Sequence, residues 1–296
     1  MRTLIFGAKG QLGRELLTRF EEAGPVLGAD LPEVDITDAV AVSALCESFG
    51  PNLVLNAAAF TDVDAAEERP EVAFAVNEQG AAHVAAAAAR WGAAVVYYST
   101  DFVFDGRATT PYPPDAPIAP LSVYGKSKAA GEAASRAAHQ HACIIRTAWL
   151  YGPGGNNFVE KILRAAARPE LRVVEDEIGS PTYVRDLAAA TWALVHHRAE
   201  GVFHAVNAGA CSRYMFAREI LSLARSSAKV HPCSAAEFES KAVRPRYAVL
   251  DCAALTAATG YVMRPWQEAL AAYMQERMQH GRAGREQHAT GETSVP

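Results

Sequence analysis

Several features are scarce in this chain, and each scarcity excludes something. No stretch approaches the ~18–20 uncharged apolar residues that a membrane-spanning helix needs. The apolar run in the N-terminal MRTLIFG is too short for a secretory signal core and is broken by glycine and lysine. There are five cysteines, Cys46, Cys143, Cys211, Cys233 and Cys252, odd in number and scattered. Without a CxxC pair they make no disulfide framework, and reduced thiols in a cytoplasmic protein are expected. The only close histidines, His139 and His141 or His196 and His197, fall at helix ends, where a cationic ring suits the dipole, so no metal is expected. Positive charge is also short: 28 Lys and Arg against 33 Asp and Glu leave −5, and no basic patch with interleaved aromatics occurs. A nucleic-acid partner is therefore not expected.

The chain does have 296 residues, half of them apolar, which is enough for a large core or two smaller ones. In the first half, short apolar runs alternate with amphipathic segments. Strands are predicted at residues 3–6, 26–29, 53–56, 94–98 and 142–146, and helices at 11–22, 35–49, 72–90 and 124–139. Thr37 or Asp38 is available to cap the second helix. This alternation predicts an α/β fold: a Rossmann-like, doubly wound parallel sheet. Beyond Trp149 the pattern loosens into turns at 152–157, a helix at 158–167, a strand at 171–174 and helices after Pro181, Arg213 and Trp266. Residues 1–148, completed by part of 175–207, are expected to form the dinucleotide-binding domain. Residues 149–174 and 208–278 would form a smaller, interwoven substrate lobe, and 279–296 a flexible tail.

The first strand runs into Gly7-Ala8-Lys9-Gly10-Gln11-Leu12-Gly13 and then a helix. Gly7 permits the tight turn. Gly10 lets backbone approach a pyrophosphate at the positive helix end, and Gly13 lets helix pack on sheet. Asp30, ending the second strand, suits the adenosine ribose hydroxyls of NADH. Lys9 and Arg14 nearby could offset its charge, so the choice between NADPH and NADH stays open.

The fourth strand leads into Ser99-Thr100-Asp101, and further on stands Tyr124-Gly125-Lys126-Ser127-Lys128. Tyr124 and Lys128, at i and i+4, share a helix face, whereas Lys126 at i+2 faces away. A lysine ammonium favours a tyrosinate and so is expected to lower the phenol's pKa. A hydroxyl from Thr100 at a strand C-terminus could hold the same carbonyl oxygen, because ligands of open α/β sheets bind outside the strands' carboxyl ends.

The segments LIFGAKGQLG, DITD, LNAAAFTDVDAAE, AVNEQGAAHVA, YYSTDFVFDG, PLSVYGKSKAAGE, RTAWLYGPGGNNFV, GSPTYVRDLA and RPRYAVLD cover most of the chain. On them the sequence resembles the extended short-chain dehydrogenase/reductases, in particular their dTDP-4-keto-6-deoxy-sugar reductases. The resemblance implies reduction by NADPH or NADH of the C4 ketone of dTDP-4-dehydro-6-deoxy-L-mannose to dTDP-L-rhamnose. It places Gly10, Gln11 and Leu12 at the cofactor pyrophosphate, Asp30, Asp35 and Ile36 near adenosine, and Ala57, Ala58, Ala59 and Tyr98 along the cofactor. Thr100, Asp101, Trp149 and Asn157 would touch the substrate. Tyr124 would donate the proton, with Lys128 as its partner and the holder of the nicotinamide ribose. Arg244 is the candidate for the substrate pyrophosphate, with Arg246 as its alternative.

Two departures stand out. Ala248 replaces a frequent serine. Arg185 stands where a metal shared between subunits would need an acid beside Glu15, so a monomer or metal-free homodimer is expected. Other dTDP-4-keto-deoxysugars are the rival substrates. A non-catalytic NADP-binding regulatory subunit is the rival of another class, and the intact Thr100, Tyr124 and Lys128 argue against it.

Overall fold

The computed structural model describes residues 1–238 and 240–290. Strands are β1 (Thr3–Phe6), β2 (Val26–Ala29), β3 (Leu53–Asn56), β4 (Ala94–Thr100), β5 (Cys143–Thr147), β6 (Leu150–Tyr151), β7 (Glu170–Val174), β8 (Ile178–Gly179), β9 (Thr182–Tyr183), β10 (Gly201–His204), β11 (Cys211–Ser212) and β12 (Lys229–Cys233). Helices are α1 (Gln11–Glu21), α2 (Ala39–Phe49), α3 (Val63–Glu68), α4 (Pro70–Phe74), α5 (Ala81–Arg90), α6 (Val123–Ala138), α7 (Phe158–Ala165), α8 (Val184–His196), α9 (Arg213–Leu223), α10 (Ala253–Thr259) and α11 (Trp266–Thr290).

Six strands form one parallel sheet in the order β10-β5-β4-β3-β1-β2. The near-continuous apolar runs of β1, β3 and β5 are buried throughout, as a sheet covered on both faces requires. The chain runs outward from β1 to β2 and then returns to the other side of β1 through β3. The topological switch point therefore lies between β1 and β3, where a ligand crevice opens. The later strands pair among themselves, β6 with β9, β7 with β12 and β8 with β11, beside the sheet's carboxyl edge. Ile5 and Ile145 from the sheet and Leu16 from α1 share one apolar core with Tyr151, Phe216 and Trp266.

Two expectations gain detail. The helix expected over 72–90 is present and carries a π-turn, Ala75–Gly80, between α4 and α5. The Asn77 side chain on that turn accepts from Phe60 N (2.8 Å) and donates to Phe60 O (3.0 Å) and Ser127 Oγ (2.9 Å). It thereby ties the loop after β3 to α6, the kind of device for which single π-turns are kept. The tail expected from residue 279 is helical through Thr290. Its Gln, Arg, Glu and Ala have good intrinsic helix propensity, and missing apolar periodicity argues against packing, not against helix. Residues 291–296 lie outside the described residues. Among those described, no helix is long and apolar enough to cross a membrane.

Candidate active site

A cleft of about 990 Å³ opens at the carboxyl edge of the sheet. Its cofactor end begins at the turn after β1. Gly7 has φ +75°, and a Cβ there would sit 2.5 Å from Ala58 N, so the turn and the β3 exit loop need glycine. At Gly13 a Cβ would stand 2.1 Å from Gly7 O, so only glycine lets α1 seat on the turn. Gly10 meets only Gly7 O, at 3.2 Å, and otherwise faces open space. Asp38, Asp62, Ser122, Asn157 and Ser212 cap α2, α3, α6, α7 and α9, whereas no side chain caps α1, nor α4, α5, α8 or α10. The first-turn N–H groups of α1 are thus left for a ligand anion, and the residues fit a dinucleotide pyrophosphate.

Asp30 accepts from Lys9 N and Leu31 N, both at 2.8 Å, while Lys9 Nζ is engaged by Glu33 (2.7 Å) and Leu31 O (2.8 Å). Asp35 Oδ1 takes the Thr37 N–H and hydroxyl, turning the chain so that Asp38 caps α2 and Ile36 packs against Gly80.

The middle of the cleft holds the ends of β4 and β5 and the first turns of α6. Ser122 caps α6 through Gly125 N, which starts the helix one residue before Tyr124. Thr100 Oγ1 donates to Asp101 Oδ1 at 2.8 Å. Burial raises the Tyr124 phenol's pKa, the Thr100 hydroxyl opposes the rise, and Asp101 adds to it. The lowering expected from Lys128 does not occur. Lys128 Nζ donates instead to Tyr98 O at 2.6 Å and lies 4.1 Å from the centre of the Tyr97 ring. Burial pulls this lysine down to about 7, against the carboxylate of Glu132, which raises it. Asp101 is pushed up to about 6, mainly by burial. Ser99 Oγ, Asp101 Oδ2 and Thr147 Oγ1 are buried without partners, and all three residues line the cleft.

At the far end stands Trp149, a bulky residue at φ +47°. Such backbone persists only where its surroundings over-determine it. Here a Cβ on Gly179 would strike the indole at 2.6 Å, and the Arg213 guanidinium lies 3.5 Å from the ring centre.

Every residue expected at the site lines this one cleft, from Gly7 and Asp30 to Trp149, Asn157 and Arg244. Lys128 and Arg244 line the cleft, whereas Lys126 is exposed and Arg246 does not reach the lining. Asn157 is placed toward the cofactor end: it caps α7 and donates to Gln11 Oε1 at 2.9 Å. Arg244 is engaged by Asp64 at 2.7 Å and donates to Ala242 O. Ala248 is buried and holds Ile178 O through its backbone N–H alone, so a hydroxyl is not required there. Arg185 bridges Glu15 (3.3 Å) and Glu276 (2.7 Å), and among the described residues no cluster of His, Cys, Asp or Glu could hold a metal. Arg213, which also lines the cleft, belongs to no motif; its one sequence signal is a cation in the first turn of a helix, where the dipole disfavours it.

A parallel sheet whose switch-point cleft joins a glycine turn to a Tyr-x-x-x-Lys helix defines a nicotinamide-dependent oxidoreductase. Residues 1–279 match the RmlD substrate binding domain family, and the chain belongs to that family. It is 42% identical to the spore coat polysaccharide biosynthesis protein SpsK of Bacillus subtilis, over 93% of this chain and 98% of that protein. It is 40% identical to the dTDP-4-dehydrorhamnose reductase of Streptomyces griseus, over 91% of each. Among solved structures, the dTDP-4-dehydrorhamnose reductase of Bacillus anthracis in complex with NADP superposes with a TM-score of 0.90 at 38% identity, covering 93% of this chain and 99% of that one.

Proposed function

We propose that the cleft reduces the C4 ketone of dTDP-4-dehydro-6-deoxy-L-mannose to give dTDP-L-rhamnose. The observation that carries this reading is the convergence of Thr100, Tyr124 and Lys128 on the same cleft as the uncapped end of α1. Its support from relatives is the shared family and the names those relatives carry.

Bound NADPH or NADH supplies the hydride that C4 receives. Gly10, Gln11 and Leu12 would hold the cofactor's pyrophosphate, Asp30 its adenosine ribose, and Lys128 its nicotinamide ribose. As the carbonyl electrons move onto oxygen, Tyr124 gives its hydroxyl proton to that oxygen and the C4 alcohol forms. A phenol kept neutral by burial is in the right state to donate, and its weak acidity is overcome only as the alkoxide's charge develops. Thr100 would turn the hydroxyl proton that it gives to Asp101 Oδ1 onto the same oxygen once the ketone is bound. Residues 1–148 with part of 175–207 serve the cofactor in this scheme. Residues 149–174 and 208–278 serve the sugar, with Trp149 as its wall.

The test is turnover of dTDP-6-deoxy-L-lyxo-4-hexulose, followed by loss of reduced-nicotinamide absorbance with NADPH and with NADH in parallel. Oxidation is expected, and Tyr124→Phe should slow it by about 10²–10⁴-fold while binding cofactor normally. No oxidation of either cofactor would sink the assignment, and equal turnover by the phenylalanine variant would remove Tyr124 from the donor role.

A further inference from the structure

We propose that Arg213 is the residue that grips the substrate's diphosphate, a role resting on the reading above that the substrate is a nucleotide diphosphate sugar.

Arg213 is placed where burial and the helix dipole disfavour its charge. It occupies the first position of α9, where the helix dipole repels a cation, although Ser212 already caps that end through Met215 N. Its side chain is only 19% exposed. Burial pulls the guanidinium down to about 10. Yet among the described residues the guanidinium makes no hydrogen bond. Its ion pair with Glu177 is 3.8 Å long, too far for one, and the rest of its surroundings are the Trp149 ring at 3.5 Å and the Phe158 ring at 5.3 Å. A planar group with five donors, stacked on an indole and lining the cleft, is presented to an acceptor that comes from outside the chain.

The chemistry of that acceptor follows from the donors. Asp101 and Glu177 favour the guanidinium's charge and Arg244 opposes it, and none of the three takes its hydrogen bonds, so the partner is one rich in oxygen acceptors. A diphosphate fits, because the guanidinium fork takes two phosphate oxygens at once. Arg244, another arginine of the cleft, is held by Asp64 and donates to Ala242 O, so it is less available. The strained Trp149 thus has a second use, as the platform that holds the fork flat against the wall.

The test is a binding titration of dTDP, inorganic pyrophosphate and neutral thymidine to wild type, Arg213→Gln and Arg213→Lys, each in the presence of cofactor. Charge-assisted hydrogen bonds of this kind imply that Arg213→Gln weakens dTDP about 10–150-fold. Thymidine and cofactor should bind as to wild type, the salt dependence of dTDP binding should flatten, and Arg213→Lys should fall between because it keeps the charge and loses the fork. Equal dTDP and pyrophosphate affinity in wild type and Arg213→Gln overturns the proposal. So does a parallel loss of thymidine affinity, which would make the arginine a support for Trp149 only. If pyrophosphate binding depends on Arg213 but dTDP gains nothing over other nucleotides, the anion site stands and the dTDP-sugar reading fails.

Discussion

Glu132 lies on α6 one turn beyond Lys128 and two beyond Tyr124, and its replacement tests both the energetics and the electrostatics of the site. Its carboxylate takes Arg146 Nε and Nη2 in a two-pronged pair, both bonds 2.8 Å, with the side chains 7% and 5% exposed. Arg146 also donates to Pro114 O at 2.9 Å and approaches His204 Nε2 at 3.4 Å. His204 adds no like charge beside the guanidinium, because burial and the arginine together push it down to about 3 and keep it neutral. In Glu132→Gln the guanidinium keeps its burial and loses its compensating charge. Breaking a buried pair in this way costs about 3–5 kcal/mol, a large share of the roughly 5–15 kcal/mol that holds a domain folded. Urea unfolding at neutral pH reads that loss. The double variant Glu132→Met, Arg146→Leu removes both charges and should recover most of it, since apolar replacement of a buried pair is often neutral. The same substitution reaches the chemistry. Glu132 raises the pKa of Lys128 against the effect of burial, so without it the lysine falls below about 7 and loses its proton at lower pH. The alkaline limb of the pH–rate profile should therefore move to lower pH in both variants, including the one that recovers its stability. A cost under about 1 kcal/mol for Glu132→Gln, or a double variant no more stable than the single, would refute the buried-charge account. An unmoved limb would refute the link to Lys128.

Two further perturbations separate fold from ligand. Gly13→Ala drives a Cβ into the backbone of Gly7 and Ala8, so α1 must lift from the turn. A stability loss of about 1–3 kcal/mol with weakened cofactor binding is expected, whereas Gly10→Ala should melt like wild type and lose cofactor affinity alone; nicotinamide fluorescence and thermal melts check both. For Asp101 the sign follows from its raised pKa. The folded state keeps the proton up to about pH 6 and the unfolded chain releases it near its ordinary value of 3.8, so ionisation in the fold removes stability as pH rises through that window. At about 1.4 kcal/mol per pH unit between the two values, Asp101→Asn should gain up to about 3 kcal/mol over wild type between pH 4 and 7 while losing turnover. A stability difference that is flat with pH would show that the carboxylate is not penalised by burial.

The sequence alone settled whatever depends on local spacing. Alternating strand and helix periods specify the parallel sheet, because strands buried on both faces must be short and apolar throughout. The glycine turn after β1 is legible because only glycine tolerates the φ of Gly7 and the contact at Gly13. The choice of Lys128 over Lys126 follows from helix geometry. Tertiary structure decided what depends on packing between distant segments. No periodicity could foresee the π-turn at Asn77, which exists to satisfy Phe60 and Ser127 from other parts of the chain. Spacing put Tyr124 and Lys128 on one face but could not show that the ammonium is drawn to Tyr98 O or that burial, not the lysine, dominates the phenol. Arg213 became part of the site only when the fold laid it across Trp149, because burial, missing hydrogen-bond partners and field are properties of a three-dimensional neighbourhood.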